Sequence, residues 1–274
     1  MTYIVLDCGD DDGWRTVARE NKGPDLQRSI TLLWSGRAPG RRGPRPQLSV
    51  ERIAQAAVRI ADANGLDAVS MQRVAAELGY STMSLYNHVP SKDLLLEVTA
   101  DVAAGQPPEL DEVGDTRRAV RQWVGALWAG FQTRPWLLGV PLGHAPVGPN
   151  QLAWLDRLLR PLLAAGLVGG EARAAALHLT AIVRGLAQIS LDMTGGHQGD
   201  DGFPHGEAEL ARAVADLLDP QSYPALAAVH AAEAAEAAGG YEGVDEDGLV
   251  PELAFGVDRF LDGVEAWIAR SRQV

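Results

Sequence analysis

Thr82, Met83, Ser84, Tyr86, Asn87 and His88 are crowded into one short stretch, STMSLYNHVPSK, that runs from Ser81 to Lys92. The side chains suit recognition rather than bond making. The hydroxyls of Thr82 and Ser84 can serve phosphates or base edges, as can Tyr86 and His88, and the amide of Asn87 can read an adenine through a bidentate pair. Lys92, at a helix start, is placed to hold a phosphate.

Two short helices must present these groups. Met71, Val74, Ala75 and Leu78 fall on one helical face before Gly79 breaks the period, and Ser81 can cap the second helix. That helix, Thr82 to His88, turns only Leu85 and Val89 inward, and Pro90 stops it. A short helix with one buried stripe and a hydrogen-bonding outer face suits the second helix of a helix-turn-helix in the DNA major groove; an ordinary αα-hairpin is the alternative. Ser49 can cap a preceding helix whose Val50, Ile53, Ala57, Ile60 and Ala61 share a face up to Asn64-Gly65. Packed on Val74, Leu78 and Leu85, that stripe completes a small core. Ser91 caps a further helix with Leu94, Leu95, Val98 and Val102, a connector that ends at Gly105-Gln106-Pro107-Pro108.

The run from Leu48 to Val102 resembles the TetR family of transcriptional repressors. The family's L-Y-x-H/Y-V/F-x-x-K core stands here as Leu85, Tyr86, Asn87, His88, Val89, Pro90, Ser91 and Lys92. The resemblance is close over this run and looser over the remainder. It implies DNA contacts from Ser70, Thr82, Tyr86, His88 and Lys92. Asn87 departs from the aromatic or basic residue often found at its position, which leaves base preference there open.

A formal net charge of −12 looks wrong for a DNA binder until it is mapped along the chain. Residues 37–92 carry eight Lys or Arg against four acids, whereas the chain from Gly185 onward carries four Arg against seventeen acids. Phosphate contact needs a local basic footprint, not a basic protein. Within that footprint Gly36 to Gln47, GRAPGRRGPRPQ, is expected to be a mobile arm whose Arg41, Arg42 and Arg45 touch DNA; a solvated linker is the alternative. Further upstream, Trp14 to Glu20 and Leu26 to Trp34 could each form a short helix.

One cysteine, Cys8, excludes an internal disulfide framework and fits a reducing compartment. Met1 to Leu6, followed by acids, is no signal peptide, and no apolar run approaches the roughly eighteen residues of a membrane span, so a cytoplasmic protein without a membrane partner is expected.

Beyond Pro108 the periodicity is helical. Val120, Val124, Leu127 and Phe131 make one stripe; Leu152, Leu155, Leu159 and Leu162 make another, with Pro161 expected to kink it. Two long helices, Glu171 to Met193 and Pro251 to Ser271, carry wide apolar faces. The resemblance implies that this pair forms a four-helix dimer bundle, with Leu179, Leu186, Val257, Phe260 and Val264 expected in the interface; purely intramolecular packing is the alternative. Ala225 to Ala238 is an Ala-rich helix, and Gly195 to Gly206 and Gly239 to Gly248 are expected to be mobile loops.

Large side chains with polar handles gather in this half: Trp123, Leu127, Trp128, Phe131, Trp136, His144, Asn150, Trp154, His178, Arg184, Gln188 and Asp192. They are the candidate lining of a small-molecule site, with plain core as the alternative for each aromatic. Arg184, Gln188 and Asp192 lie at i, i+4 and i+8, so they share one face of an otherwise apolar helix. An enzyme is disfavoured: His197, Asp200, Asp201 and His205 sit in a Gly-rich loop without the helical spacing that fixes metal ligands, and no phosphate loop or nucleophile elbow occurs.

The expected fold is all-α: an N-terminal three-helix helix-turn-helix DNA-binding domain and a C-terminal helical bundle for ligand binding and dimerisation. Residues 1–47 form an extension and basic arm, 48–104 the DNA-binding domain with its connecting helix, and 109–274 the second domain. The resemblance implies a homodimeric repressor that binds double-stranded, palindromic operator DNA and is released by a small, largely apolar effector; no cofactor and no protein metal site are expected, and whether a metal accompanies the effector is left open. A related regulator without an effector is the alternative, and a metal-dependent enzyme on a helical scaffold a distant third.

Overall fold

The computed structural model describes residues 5–7, 15–17, 26–34, 48–110, 115–141, 145–193, 219–236 and 244–271. Its helices are α1 (Leu26–Trp34), α2 (Val50–Asn64), α3 (Met71–Leu78), α4 (Thr82–Tyr86), α5 (Lys92–Ala104), α6 (Thr116–Thr133), α7 (Pro149–Ala165), α8 (Gly169–Met193), α9 (Pro224–Glu236) and α10 (Pro251–Ser271). The architecture is all-α. One short ribbon stands beside it: Val5–Asp7 pairs antiparallel with Arg15–Val17. The helix expected from Trp14 to Glu20 is therefore replaced in part by a strand, in keeping with the β-branched Thr16 and Val17.

Helix starts follow the local capping chemistry. The hydroxyls of Ser49, Ser70, Ser81 and Ser91 each accept from the backbone N–H three residues on, at 3.2 Å in every case. Gly65 ends α2 at φ 78° and Gly79 ends α3 in the left-handed region at φ 75°, ψ 28°.

Two hydrophobic clusters result. The first joins Ile53, Ala57 and Ile60 of α2 to Val74, Leu85, Val89 and Leu95, with Leu32 of α1 and Trp136 packed at its margin. The second joins α6, α7, α8 and α10 through Val120, Trp123, Leu158, Leu162, Leu179, Val183, Leu253, Val257 and Leu261. α7 continues through Pro161.

Residues 244–250, the described end of the second Gly-rich loop, are a fastened turn. Asp245 Oδ1 accepts from the N–H groups of Asp247 and Leu249, both at 3.0 Å. Arg121 of α6 is bonded to Asp247 at 2.9 Å, to Asp258 at 2.8 Å and to Asp245. Burial works against its charge, yet the carboxylates prevail and raise its pKa above the ordinary guanidinium value. The turn lies so close to α6 that a Cβ on Gly125 would overlap the Asp247 carbonyl.

α8 corrects one expectation from composition. It is long and apolar enough, by length and composition alone, to cross a membrane. In this fold one face is spent on the core, through Ala172, Ala176, Leu179, Val183 and Ala187. The length reflects a helix with a second apolar face, not a lipid-facing one on all sides.

Candidate nucleic-acid interface and effector region

The α3–α4 unit is built by its turn. Gly79 N–H donates to Ala76 O at 3.2 Å and Tyr80 N–H to Ala75 O at 3.0 Å, a Schellman closure that only a left-handed residue permits at Gly79. α4 then holds only five residues, shorter than the expected Thr82 to His88. Asn87 and His88 continue the turn by donating their N–H groups to Met83 O and Leu85 O. Leu85 and Val89 are wholly buried. The opposite surface presents Met83, Tyr86 and Asn87, with Tyr86 43% and Met83 69% exposed.

Thr82, Ser84 and His88 are half-buried. The Ser84 hydroxyl shares a 2.9 Å bond with that of Ser81, and His88 Nδ1 lies 2.9 Å from Ser84 O. His88 is thus braced against its own helix, with one ring nitrogen already engaged. Ser70 is half-buried and its hydroxyl caps α3. Lys92 is exposed at the first residue of α5. Arg41, Arg42 and Arg45 lie outside the described residues. Two other cations of this unit are already engaged: Arg59 pairs with Glu77 at 2.8 Å and Arg73 is bonded to Asn64.

The far end of α5 is captured by the second cluster of helices. The last carbonyls of a helix have no intrahelical donors. Here Arg134 Nη1 donates to Ala103 O at 3.1 Å, and Trp154 Nε1 to Ala104 O and Gly105 O at 3.1 and 3.2 Å. The exchange runs the other way at Asp101, 3% exposed, whose Oδ1 accepts from the N–H groups of Asn150 and Gln151 at 3.0 Å each. A carboxylate of α5 therefore caps α7. Asp62 of α2 adds a further tie: it accepts from Arg134 Nε at 3.1 Å and Trp136 Nε1 at 2.8 Å. Trp34 of α1 donates to Val147 O at 2.9 Å.

The expected effector lining is divided by this geometry. Trp136, Asn150 and Trp154 serve the seam with α2 and α5, so they are structural ties there. Trp123, 3% exposed, donates to Trp154 O at 2.9 Å and meets the Trp154 ring edge-on at 5.9 Å; Trp128 is also buried. His178 is exposed on the outer face of α8 and stacks on Phe260, ring centroids 6.1 Å apart. Asp192 is exposed and accepts from Gln188 Nε2 at 2.9 Å. Leu127, Phe131 and Arg184 remain together beside α6 and α8, Arg184 lying 5.9 Å from the centroid of the Phe131 ring. His144 and the loop with His197, Asp200, Asp201 and His205 lie outside the described residues. Among the described residues no cluster of His, Cys, Asp and Glu is arranged to hold a metal.

The expected interface is also redrawn. Leu179 and Val257 are wholly buried within the single chain, so they belong to its core. Phe260, Val264 and Leu186 are half-buried, and the uncovered faces of α8 and α10 also show Leu177, Ile189, Phe255 and Trp267. Between the two helices runs an open groove of about 490 Å³ bordered by His178, Phe260, Gly263, Val264 and Trp267. A second concavity of about 310 Å³ lies at the seam, between Arg59, Asp62, Val102 and Arg134. The ties of Asp62, Asp101 and Trp34 were missed from sequence, because a lone Asp or Trp on a helix face carries no sign of a partner more than forty residues away.

The arrangement of a capped helix-turn-helix on a connector held by a helical body has relatives. Residues 50–99 match the sequence pattern of the bacterial regulatory proteins of the tetR family, and residues 108–268 match the tetracyclin repressor-like C-terminal domain. The chain belongs to the tetR family. It is 33% identical over 258 residues to the HTH-type transcriptional repressor DrrR1 of Streptomyces coeruleorubidus, an alignment that spans 90% of this chain and 88% of that one. Among solved structures, the tetR-family protein ActR of Streptomyces coelicolor in complex with actinorhodin is 26% identical, covers 82% of this chain and 99% of its own, and superposes with a TM-score of 0.64. Apo ActR gives a TM-score of 0.65 at 24% identity, with 83% of this chain and 100% of its own covered, which speaks to fold alone. The protein is a tetR-family transcriptional repressor and not an enzyme.

Proposed function

We propose that this repressor binds a palindromic operator as a cytoplasmic homodimer and leaves it when a small, largely apolar effector enters the helical body. One observation carries the reading: α5 begins at Lys92, next to the recognition surface, and ends with its terminal carbonyls held by Arg134 and Trp154. A shift of α6 or α7 therefore has a rigid path to α4. Two recognition helices must match major grooves about 34–36 Å apart, so a small rotation of each connector is enough to lose one half-site. That tetR-family ActR has been crystallised with actinorhodin supports a ligand-binding body of this kind.

In this reading Ser70, Thr82, Met83, Ser84, Tyr86, Asn87, His88 and Lys92 meet DNA, with Arg41, Arg42 and Arg45 on the adjoining arm. The DNA-binding unit ends near Gly105, and the uncovered faces of α8 and α10 join a second copy. Leu127, Phe131, Arg184 and Gln188 border the effector.

A second reading, a regulator without an effector, has its own support. Of the expected lining residues, only His178 borders either concavity described above, and it does so on the outer face. The deciding experiment selects bound sequences from random DNA with the full chain. The recovered operator is then titrated with planar, largely apolar compounds. A palindromic consensus and release by at least one compound support the first reading; a non-palindromic consensus, or binding that no compound weakens, defeats it.

A further inference from the structure

Three arginines of the helical body are held by carboxylates. Arg117 is surrounded by Asp258, Asp262 and Glu265 at 3.3, 2.6 and 3.1 Å, Arg121 by three aspartates, and Arg157 is bonded to Glu109 at 2.8 Å. Arg184 of α8 is different. It is half-buried, and its partners among the described residues are two backbone carbonyls, Leu138 O at 2.5 Å and Val140 O at 3.5 Å, together with the face of Phe131. No carboxylate of the described residues pairs with it. Burial lowers its pKa from the ordinary guanidinium value, with no neighbouring anion among the described residues to restore it. A guanidinium half withdrawn from water with no carboxylate of the described residues beside it carries a standing cost, and a planar fork of donors beside an aromatic face has a natural complement.

We infer that Arg184 is the anchor for an anionic planar aromatic effector, whose carboxylate or ionised phenol pairs with the guanidinium while its ring lies along Phe131 and Leu127. The inference rests on the ligand-responsive reading and gives it a ligand class. It also supplies a consequence. The carbonyls that Arg184 holds belong to the end of the 3-10 turn Pro135–Gly139 and to Val140, and the same turn carries Trp136, which is bonded to Asp62 of α2. An anion that takes over the guanidinium loosens the segment to which the DNA-binding unit is tied.

The test uses the full chain and two probes of the same shape, anthracenecarboxylate and its neutral amide, anthracenecarboxamide. Direct binding is followed by probe fluorescence in the absence of DNA. The carboxylate is expected to bind about tenfold tighter than the amide, as a charge-assisted pair requires. Arg184→Gln should bring the two to equal affinity, and Arg184→Lys should keep a preference for the anion, which separates loss of charge from loss of fold. Equal affinities in the wild type, binding of neither probe, or a preference that survives Arg184→Gln overturns the inference. Operator release is measured separately. Charge-selective binding without release leaves the anion site standing and removes the ligand-responsive reading; release by neutral compounds alone, with no preference for the carboxylate, does the reverse.

Discussion

The indole Nε1 of Trp136 donates to Asp62 Oδ1 at 2.8 Å, a bond between the helical body and the first helix of the DNA-binding unit. Arg134 approaches the same carboxylate at 3.1 Å, so one side chain of α2 gathers two donors that flank the start of the 3-10 turn. Asp62 and Arg134 are 38% and 34% exposed, which limits the stability this tie can supply. Its value lies in position: it is the point at which α2 itself is bonded to the body.

Asp62→Ala is accordingly expected to lower thermal stability little, by about 1 kcal/mol or less. It should act on coupling. The ratio of operator affinities without and with effector should shrink, because fewer bonds distinguish the two orientations. Calorimetry and operator titration check the two halves. A ratio equal to that of the wild type would show that the tie transmits nothing.

Asp101 offers a sharper stability test. Asp101→Ala removes the cap of α7 and leaves the N–H groups of Asn150 and Gln151 without their acceptor, a loss of about 1–3 kcal/mol. Gly148 gives an independent handle, since a Cβ there would overlap the Asp101 carboxylate although its φ of −72° suits any residue. Gly148→Ala should therefore cost the wild type clearly more than it costs the Asp101→Ala variant, in which the carboxylate is gone and only the Cβ of residue 101, 3.0 Å away, still crowds the new methyl. A double-mutant cycle by denaturant unfolding measures that coupling; additive effects would contradict the geometry.

What was legible in the sequence was local. Ser49, Ser70, Ser81 and Ser91 cap because hydroxyl and orphan N–H groups lie three residues apart, and Gly79 turns because its neighbours' periodicity ends there. Helical spacing also gave the buried side of the recognition stretch through Leu85 of α4 and Val89 just beyond it. It could not say what lies opposite a face. Trp123, Trp136 and Trp154 look alike in sequence, yet one is core, one holds Asp62 and one closes the end of α5. Leu179 and Val257 failed as interface residues for the same reason: α8 and α10 each carry two apolar faces, and periodicity does not tell which one the chain covers itself.

At the recognition surface, Tyr86→Ala and Lys92→Ala should each cut specific operator affinity at least about tenfold, the size of effect that removing one base or phosphate interaction produces. Both side chains are exposed and lie outside the core of Ile53, Val74 and Leu85, so circular dichroism and melting should be unchanged. Loss of folding in either variant would count against a surface role.

The arm is best tested by substitution rather than deletion, because removing everything before Leu48 would also remove α1, whose Leu32 packs on the DNA-binding core. Changing Arg41, Arg42 and Arg45 to Ala should make the slope of log affinity against log salt shallower by about 0.9 for each phosphate no longer neutralised. An unchanged slope returns residues 36–47 to the status of a linker.

The dimer prediction turns on the contrast between the two faces of α8 and α10. Phe260 is half-buried and stacked on the exposed His178, Trp267 at 48% exposure borders the same groove, and the two helices further expose Leu177 at 61% and Phe255 at 68%. Ala174, Ala181 and Gly185 line the same side of α8, small enough for a second helix to approach closely. Joined to its counterpart, this face should bury more than about 1,000 Å², as a stable interface requires. Phe260→Asp is expected to give a folded monomer by sedimentation, with operator binding greatly weakened because each half-site is then bound alone. Leu179→Asp should behave differently: its side chain is wholly enclosed, so a charge there should unfold the body rather than separate two bodies. If the wild type itself sediments as a monomer at micromolar concentration, or if both variants merely unfold, the two faces do not have the separate roles assigned to them.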